Sequence, residues 1–256
     1  MLNGHANHVK LQTPPLYRMI CQMRFPQLLG FDNQAIRSIQ KALAEDYPEA
    51  ARSRVLMGLE LGDEAKIASS FSELFRFIAT DEDTEINLTD QFVSLQTKKY
   101  ERFAHFASRW EQLVGILQKE LGVTRQNRLG LRYTNVIQKE DKRNTEDWAG
   151  LVSDHLLKTE MAVRAQFDAI ATSSQHQVRF QMSEGLFLFR YGSSPPADDI
   201  ELPPGFLIDV DAYDDQPRSF EIQQQVSILA TWNHVIFRFL RQSVTDELWS
   251  SFNPEG

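Results

Sequence analysis

Near its midpoint the chain reads RLGLRYTNV, Arg128 to Val136, and there it repeats the alternation of an earlier stretch, YRMICQMRF, Tyr17 to Phe25. In the later stretch Leu129, Leu131 and Tyr133 fall on one side and Arg128, Arg132 and Thr134 on the other, which is the period-two spacing of a half-buried strand. In the earlier one Tyr17, Met19, Cys21, Met23 and Phe25 oppose Arg18, Gln22 and Arg24. The two share a local string, Met23-Arg24-Phe25 against Leu131-Arg132-Tyr133. Two readings fit a chain that starts over in this way: an ancestral duplication, or one α+β chain whose elements happen to fall into two similar rows.

Periodicity outlines the remaining elements. Pro26 ends the first strand, and Asp32 or Asn33 is placed to cap a helix running to about Asp46 with Ile36, Ile39 and Leu43 as its stripe. Strands are predicted at Arg54 to Leu61, Glu73 to Ala79, Glu85 to Leu88 and Phe92 to Thr97, with Asp81-Glu82-Asp83 as a turn. A long helix from about Lys98 to Leu121 carries Tyr100, Phe103, Phe106, Trp110, Leu113 and Leu117 at helical spacing, and Gly122 stops it. The order then begins again with the strand at Arg128 and a helix near Glu146 to Leu157. Strands follow at Ala162 to Thr172, Gln177 to Ser183, Leu186 to Tyr191 and Phe206 to Tyr213. A helix from about Phe220 to Gln242 and a short one capped by Thr245 complete the chain.

This pattern predicts an α+β fold of two similar βαββββα halves, residues 16–124 and 125–256, packed intimately behind a poorly ordered tail at residues 1–15. Each half lays a long helix on an antiparallel sheet, and the two sheets either stay separate, join into one continuous sheet or close as a barrel. A chain of 256 residues buries a sufficient core without metals or disulfides.

Composition narrows the function. A formal charge of -8 argues against broad electrostatic capture of nucleic acid, because neutralising phosphates takes a surplus of Lys and Arg. Cys21 is the one cysteine, so neither a disulfide nor a cysteine metal cluster forms within one chain. With no apolar run long enough for a bilayer, the expected protein is soluble and cytoplasmic.

Few residues point to chemistry. Asp209 and Asp211 in LIDVDAY share one face of a predicted strand, a spacing at which both carboxylates reach one divalent cation; an exposed strand face beside an acidic loop explains them equally well. Histidines 5, 8, 105, 155, 176 and 234 make no zinc pair, and Cys21 on an apolar strand face reads as a small core residue. Neither a Walker loop, a dinucleotide fingerprint nor a nucleophile elbow occurs, and no cofactor is expected. Arg24 and Arg132 occupy matching places on the two opening strands, and Arg128, Asn135, Arg164 and Arg179 add to the polar face. Arginines facing one another across a pseudo-symmetric groove would bind an anion or an acidic partner segment, whereas ordinary solvated strand arginines would pair with the excess of Asp and Glu.

Through RFPQLLGFD, the region of Tyr100, RLGLRYTNVI, LIDVDAY and WNHVIFRF, the chain resembles a sporadically distributed bacterial family of uncharacterised proteins of about this length. The resemblance spans nearly the whole chain and is most specific at RLGLRYTNVI. It carries over no catalytic or binding residue. The patchy distribution of that family implies carriage on mobile elements, and with it a role in phage defence or toxin control. The expected function is therefore a non-enzymatic protein-interaction component, regulatory or neutralising in such a system, acting on a partner encoded nearby. The alternative is a ligand-binding or metal-dependent phosphate-handling enzyme using Asp209 and Asp211. An aromatic helix face left uncovered would favour a homodimer.

Overall fold

Strands β1 (Leu16–Arg24) and β7 (Arg128–Ile137), the two stretches that repeat one another, lie side by side at the middle of the sheet. The computed structural model describes residues 9–61, 67–99, 101–139, 142, 144–194, 202–219 and 221–255. The remaining strands of the first part are β2 (Glu49–Leu61), β3 (Ile67–Ile78), β4 (Thr84–Leu88) and β5 (Phe92–Thr97). They follow helix α1 (Asn33–Leu43) and precede helix α2 (Phe103–Leu121). The second part contributes α3 (Lys158–Phe167), β8 (His176–Met182), β9 (Gly185–Ser194), β10 (Gly205–Asp214), α4 (Ile222–Ser243) and α5 (Asp246–Ser251). A separate two-stranded ribbon joins β6 (Arg125–Gln126) to β11 (Arg218–Ser219).

The main sheet has nine strands in the order β2-β3-β4-β5-β1-β7-β10-β9-β8, and every neighbouring pair is antiparallel. On either side of the β1–β7 seam the opening strand is bonded to the strand that precedes the long helix, β5 on one side and β10 on the other. Among the described strands the sheet is open, ending at β2 and β8. The fold is thus α+β with one large antiparallel sheet, not a pair of separate sheets.

Period-two spacing decides which side is buried. Met19, Cys21 and Met23 of β1, Leu129 and Leu131 of β7, and Ile208, Val210 and Ala212 of β10 are all solvent-inaccessible and face the helices. Helices α2 and α4 pack on one another over this face, burying Trp110 and Trp232 completely. Burying side chains of this size contributes about 1.5 to 3 kcal/mol each. Asp32 caps α1 by accepting from the Gln34 and Ala35 amides at 2.9 Å. Gly122 ends α2 at φ 64°, the left-handed geometry that glycine enters freely.

Three expectations change. The strand expected at Ala162 to Thr172 is instead α3, which ends at Asp168 with φ 51°. Its inward group is a carboxylate, Glu160, bonded to His176 Nε2 at 2.7 Å, so no apolar stripe marks the helix in the sequence. The helix expected at Glu146 to Leu157 is two short 3-10 turns, Thr145–Trp148 and Asp154–Leu156, separated at Gly150 (φ 80°). Residues 9–15, expected to be loose, are tied to the C-terminus: the Gln12 and Thr13 amides donate to the Asn253 and Phe252 carbonyls at 3.2 and 3.1 Å. The rest of that expected tail, residues 1–8, lies outside the described residues, as does Tyr100. Among the described residues no helix is long and apolar enough to cross a membrane.

Candidate functional site

The face of the sheet away from the helices is polar along its middle. From β1 it receives Gln22 and Arg24, from β7 Arg128 and Arg132, from β10 Asp209 and Asp211, and from β9 Arg190, all brought into line by the antiparallel registers. Asp209 is fully buried, and its carboxylate is completely engaged. Arg132 donates to it twice, Nε to Oδ1 at 2.7 Å and the terminal nitrogen to Oδ2 at 3.0 Å, while Arg190 donates to Oδ2 at 2.7 Å and Thr134 Oγ1 to Oδ1 at 3.1 Å. A paired guanidinium fork is the arrangement that makes burial of a carboxylate tolerable. Burial on its own would make Arg132 easier to deprotonate, but Asp209 outweighs it and holds the guanidinium charged.

Asp211 stands one pleat away. Arg128 donates to it at 3.1 Å, and the same guanidinium lies 4.9 Å over the Tyr213 ring. Burial raises the Asp211 carboxyl above its ordinary pKa despite Arg128 and Arg132, and the charge of Asp209 adds to the rise. Gly130 in the middle of RLGLRYTNV has a concrete reason: a Cβ there would come within 2.6 Å of the Arg128 guanidinium, so glycine leaves the space through which that side chain crosses β7.

Between these groups is a cleft of about 310 Å³ lined by Ile20, Gln22, Arg24, Arg128, Gly130, Arg132 and Asp211. Its centre is the Gln22–Gly130 register pair. Arg24 faces Arg128 across the seam, and Arg132 faces Ile20. Arg24 donates to Gln22 at 3.3 Å and has no carboxylate partner among the described residues. Three arginines and one carboxylate therefore line the cleft, which gives it a local positive surplus on a chain that is acidic overall.

Of the residues singled out in the sequence, Arg24, Arg128 and Arg132 come together here. Asn135 does not: it shares the parity of Leu131 and Tyr133, lies 2% exposed on the helix-covered side and donates to the Ile208 carbonyl at 3.1 Å. Asp209 and Asp211 do share one face, but they are turned toward guanidinium groups, so a divalent cation there would meet Arg132 and Arg190 first. No group of three or more His, Cys, Asp or Glu side chains suited to a metal occurs among the described residues. Arg164 sits on α3, off the sheet, and Arg179 lies on the end strand β8. Arg190 was missed because FLFRYG shows a polar residue between aromatics but not which strand will lie beside it.

Cys21 is fully buried on the core side, and burial pushes its thiol well up, only partly opposed by the nearby Arg128 charge. His176 stacks on Tyr191 at 4.8 Å while bonded to Glu160, and His105 bonds to Glu101 at 3.2 Å, so both are engaged in local side-chain contacts. Comparison of the chain with models of known protein families finds no match, and comparison with curated proteins likewise finds none.

Proposed function

We propose that the chain is a non-enzymatic binding protein whose polar sheet face docks an acidic segment of a protein partner. The observation that carries this is the cleft at Gln22 and Gly130, where three arginines meet one carboxylate on an otherwise acidic molecule. Arg128 and Arg132 are pre-oriented by Asp211 and Asp209, and Arg24 adds a cation with no carboxylate partner among the described residues. Fixed guanidinium groups recognise carboxylates with little ordering cost.

In the same reading the two halves descend from one βαββββα unit, the second giving the main sheet three strands after its first helix. The shared Met-Arg-Phe and Leu-Arg-Tyr strings and the like placement of β5 and β10 support this. The string match equates Arg24 with Arg132, so the local two-fold axis between β1 and β7 passes through the Gln22–Gly130 pair and the cleft lies on it. By the family resemblance, the partner is the product of a neighbouring gene, and binding neutralises or regulates it within a phage-defence or toxin-antitoxin system.

Co-purification with the products of adjacent genes, followed by titration of the complex, tests the reading. Binding should weaken as salt rises and fall about tenfold or more for Arg24→Glu, a substitution that breaks no ion pair among the described residues. If no neighbouring product binds, or if binding ignores Arg24→Glu, the reading fails.

A further inference from the structure

On the opposite side of the sheet the inward row of β7 runs Leu129, Leu131, Tyr133, Asn135, Ile137, so two polar residues interrupt an otherwise apolar series. The inward stripe of α4 is interrupted in the same way, by Asn233 between Leu229 and Ile236. These interruptions meet: the Tyr133 hydroxyl donates to Asn233 Oδ1 at 2.6 Å, and all three residues are at most 8% exposed. Apolar residues of similar size would fill these positions without needing partners. Where they meet, the structure opens into a cavity of about 790 Å³ bounded by β7, α4, the first turn of α2 and the segment before β1. That volume lies in the range of small-molecule sites, and the walls are largely apolar, with Leu16, Phe103, Ile236 and Leu240 among them.

The charged groups at its rim differ in their partners. Glu255 is ion-paired with Lys10 at 3.0 Å, and Glu101 is hydrogen-bonded to the His105 ring at 3.2 Å. Arg102 has no ion pair among the described residues, and the first turn of α2 beside it carries no acidic side chain. The cavity therefore offers an apolar body, a floor of hydroxyl and amide groups, and at its edge one cation, Arg102, with no ion pair among the described residues.

We propose that this cavity binds a small amphipathic carboxylate, with its apolar chain between α4 and β7 and its carboxylate on Arg102. The site is separate from the arginine cleft on the other face and stands or falls without it.

Titration of the full chain with octanoate, followed by calorimetry and by nuclear magnetic resonance, decides the matter. Octanoate should saturate one site per chain, and octanamide, which keeps the chain but not the charge, should bind about tenfold more weakly. Arg102→Ala should reproduce that loss and Arg102→Lys should recover part of it. Ala230→Trp, at an exposed position on the wall, should block the site, whereas Arg24→Glu should leave octanoate binding unchanged. Absence of saturable octanoate binding overturns the proposal. So does binding that survives Ala230→Trp in a folded variant, or that is indifferent to Arg102→Ala.

Discussion

The indole nitrogen of Trp110 on α2 donates to the side-chain oxygen of Gln225 on α4 at 3.1 Å, joining the two long helices inside the core. The Gln225 amide nitrogen continues the chain of contacts to Gln126 at 2.5 Å and to the Met23 sulfur at 3.0 Å. Gln225 is 2% exposed, so it is a polar bolt where a leucine would satisfy packing alone. Gln225→Leu should cost on the order of 2 kcal/mol, because it leaves the indole donor buried without an acceptor. Urea denaturation reads the loss. Adding Trp110→Phe should then cost less than it does in the native background.

Asp209 should be the most sensitive polar residue of the open face. Asp209→Ala leaves Arg132 and Arg190 facing one another with no anion between them, and about 2 kcal/mol should be lost after allowing for the solvent that reaches both guanidiniums. Asp211→Asn should cost less than Asp209→Ala, since one guanidinium donates to that carboxyl where two hold Asp209, and burial works against its charge. Equal losses for the two variants would contradict the asymmetry between them.

The acid limb of stability follows from two other carboxylates. Burial is the largest influence on Glu160 and would raise it, but the contacts with His176, Ser174 and the backbone together outweigh it, and Glu85 is likewise brought down against burial by Arg76, Asn87 and Gln96. Both fall below the ordinary value of 4.5, so the folded state binds fewer protons than the unfolded chain in that window. Their stabilisation is present above pH 4.5 and is lost as pH falls through the lowered values. Glu160→Gln should be less stable than the native protein at pH 7, and the difference should shrink towards pH 3; a difference that grows on acidification reverses the sign and refutes it.

Cys21 should be silent to thiol reagents in the folded protein. It is inaccessible, and its pKa is pushed well up by burial. Disulfide-exchange reagents should label it only as fast as the chain opens, and at the rate of a free thiol in denaturant.

Gly192 has φ 151°, and a Cβ there would fall 2.0 Å from the Ser174 carbonyl oxygen. The same turn is held by the Ser174 amide, which donates to the Ser193 carbonyl at 2.8 Å. Gly192→Ala should cost about 2 to 3 kcal/mol through displacement of that backbone, measured as a drop in denaturation midpoint.

What the sequence revealed depended on whether local spacing carried the information. Asp32, Gly122 and Thr245 announced their helix ends because caps act within one turn. The alternation of Leu129, Leu131 and Tyr133 named the buried face, and carried two residues further it also places Asn135 there and not among the outward arginines. α3 was misread because Met161, Val163 and Phe167 are exposed apolar residues, so hydrophobicity on that helix does not track burial. The pairing of Asp209 with Arg132 and Arg190 depends on β10 lying between β7 and β9, an adjacency that no local window encodes.

The position of β1 has a consequence for synthesis. Its partner on one side, β7, is encoded in the second half of the chain, so while the ribosome is still making residues 98 to 127 the first strand presents a bare hydrogen-bonding edge. Unpaired edges of this kind recruit other strands. A nascent first half therefore carries an aggregation-prone edge that the folded chain has covered, and a chain truncated before Arg128 should require a chaperone that the 256-residue chain does not.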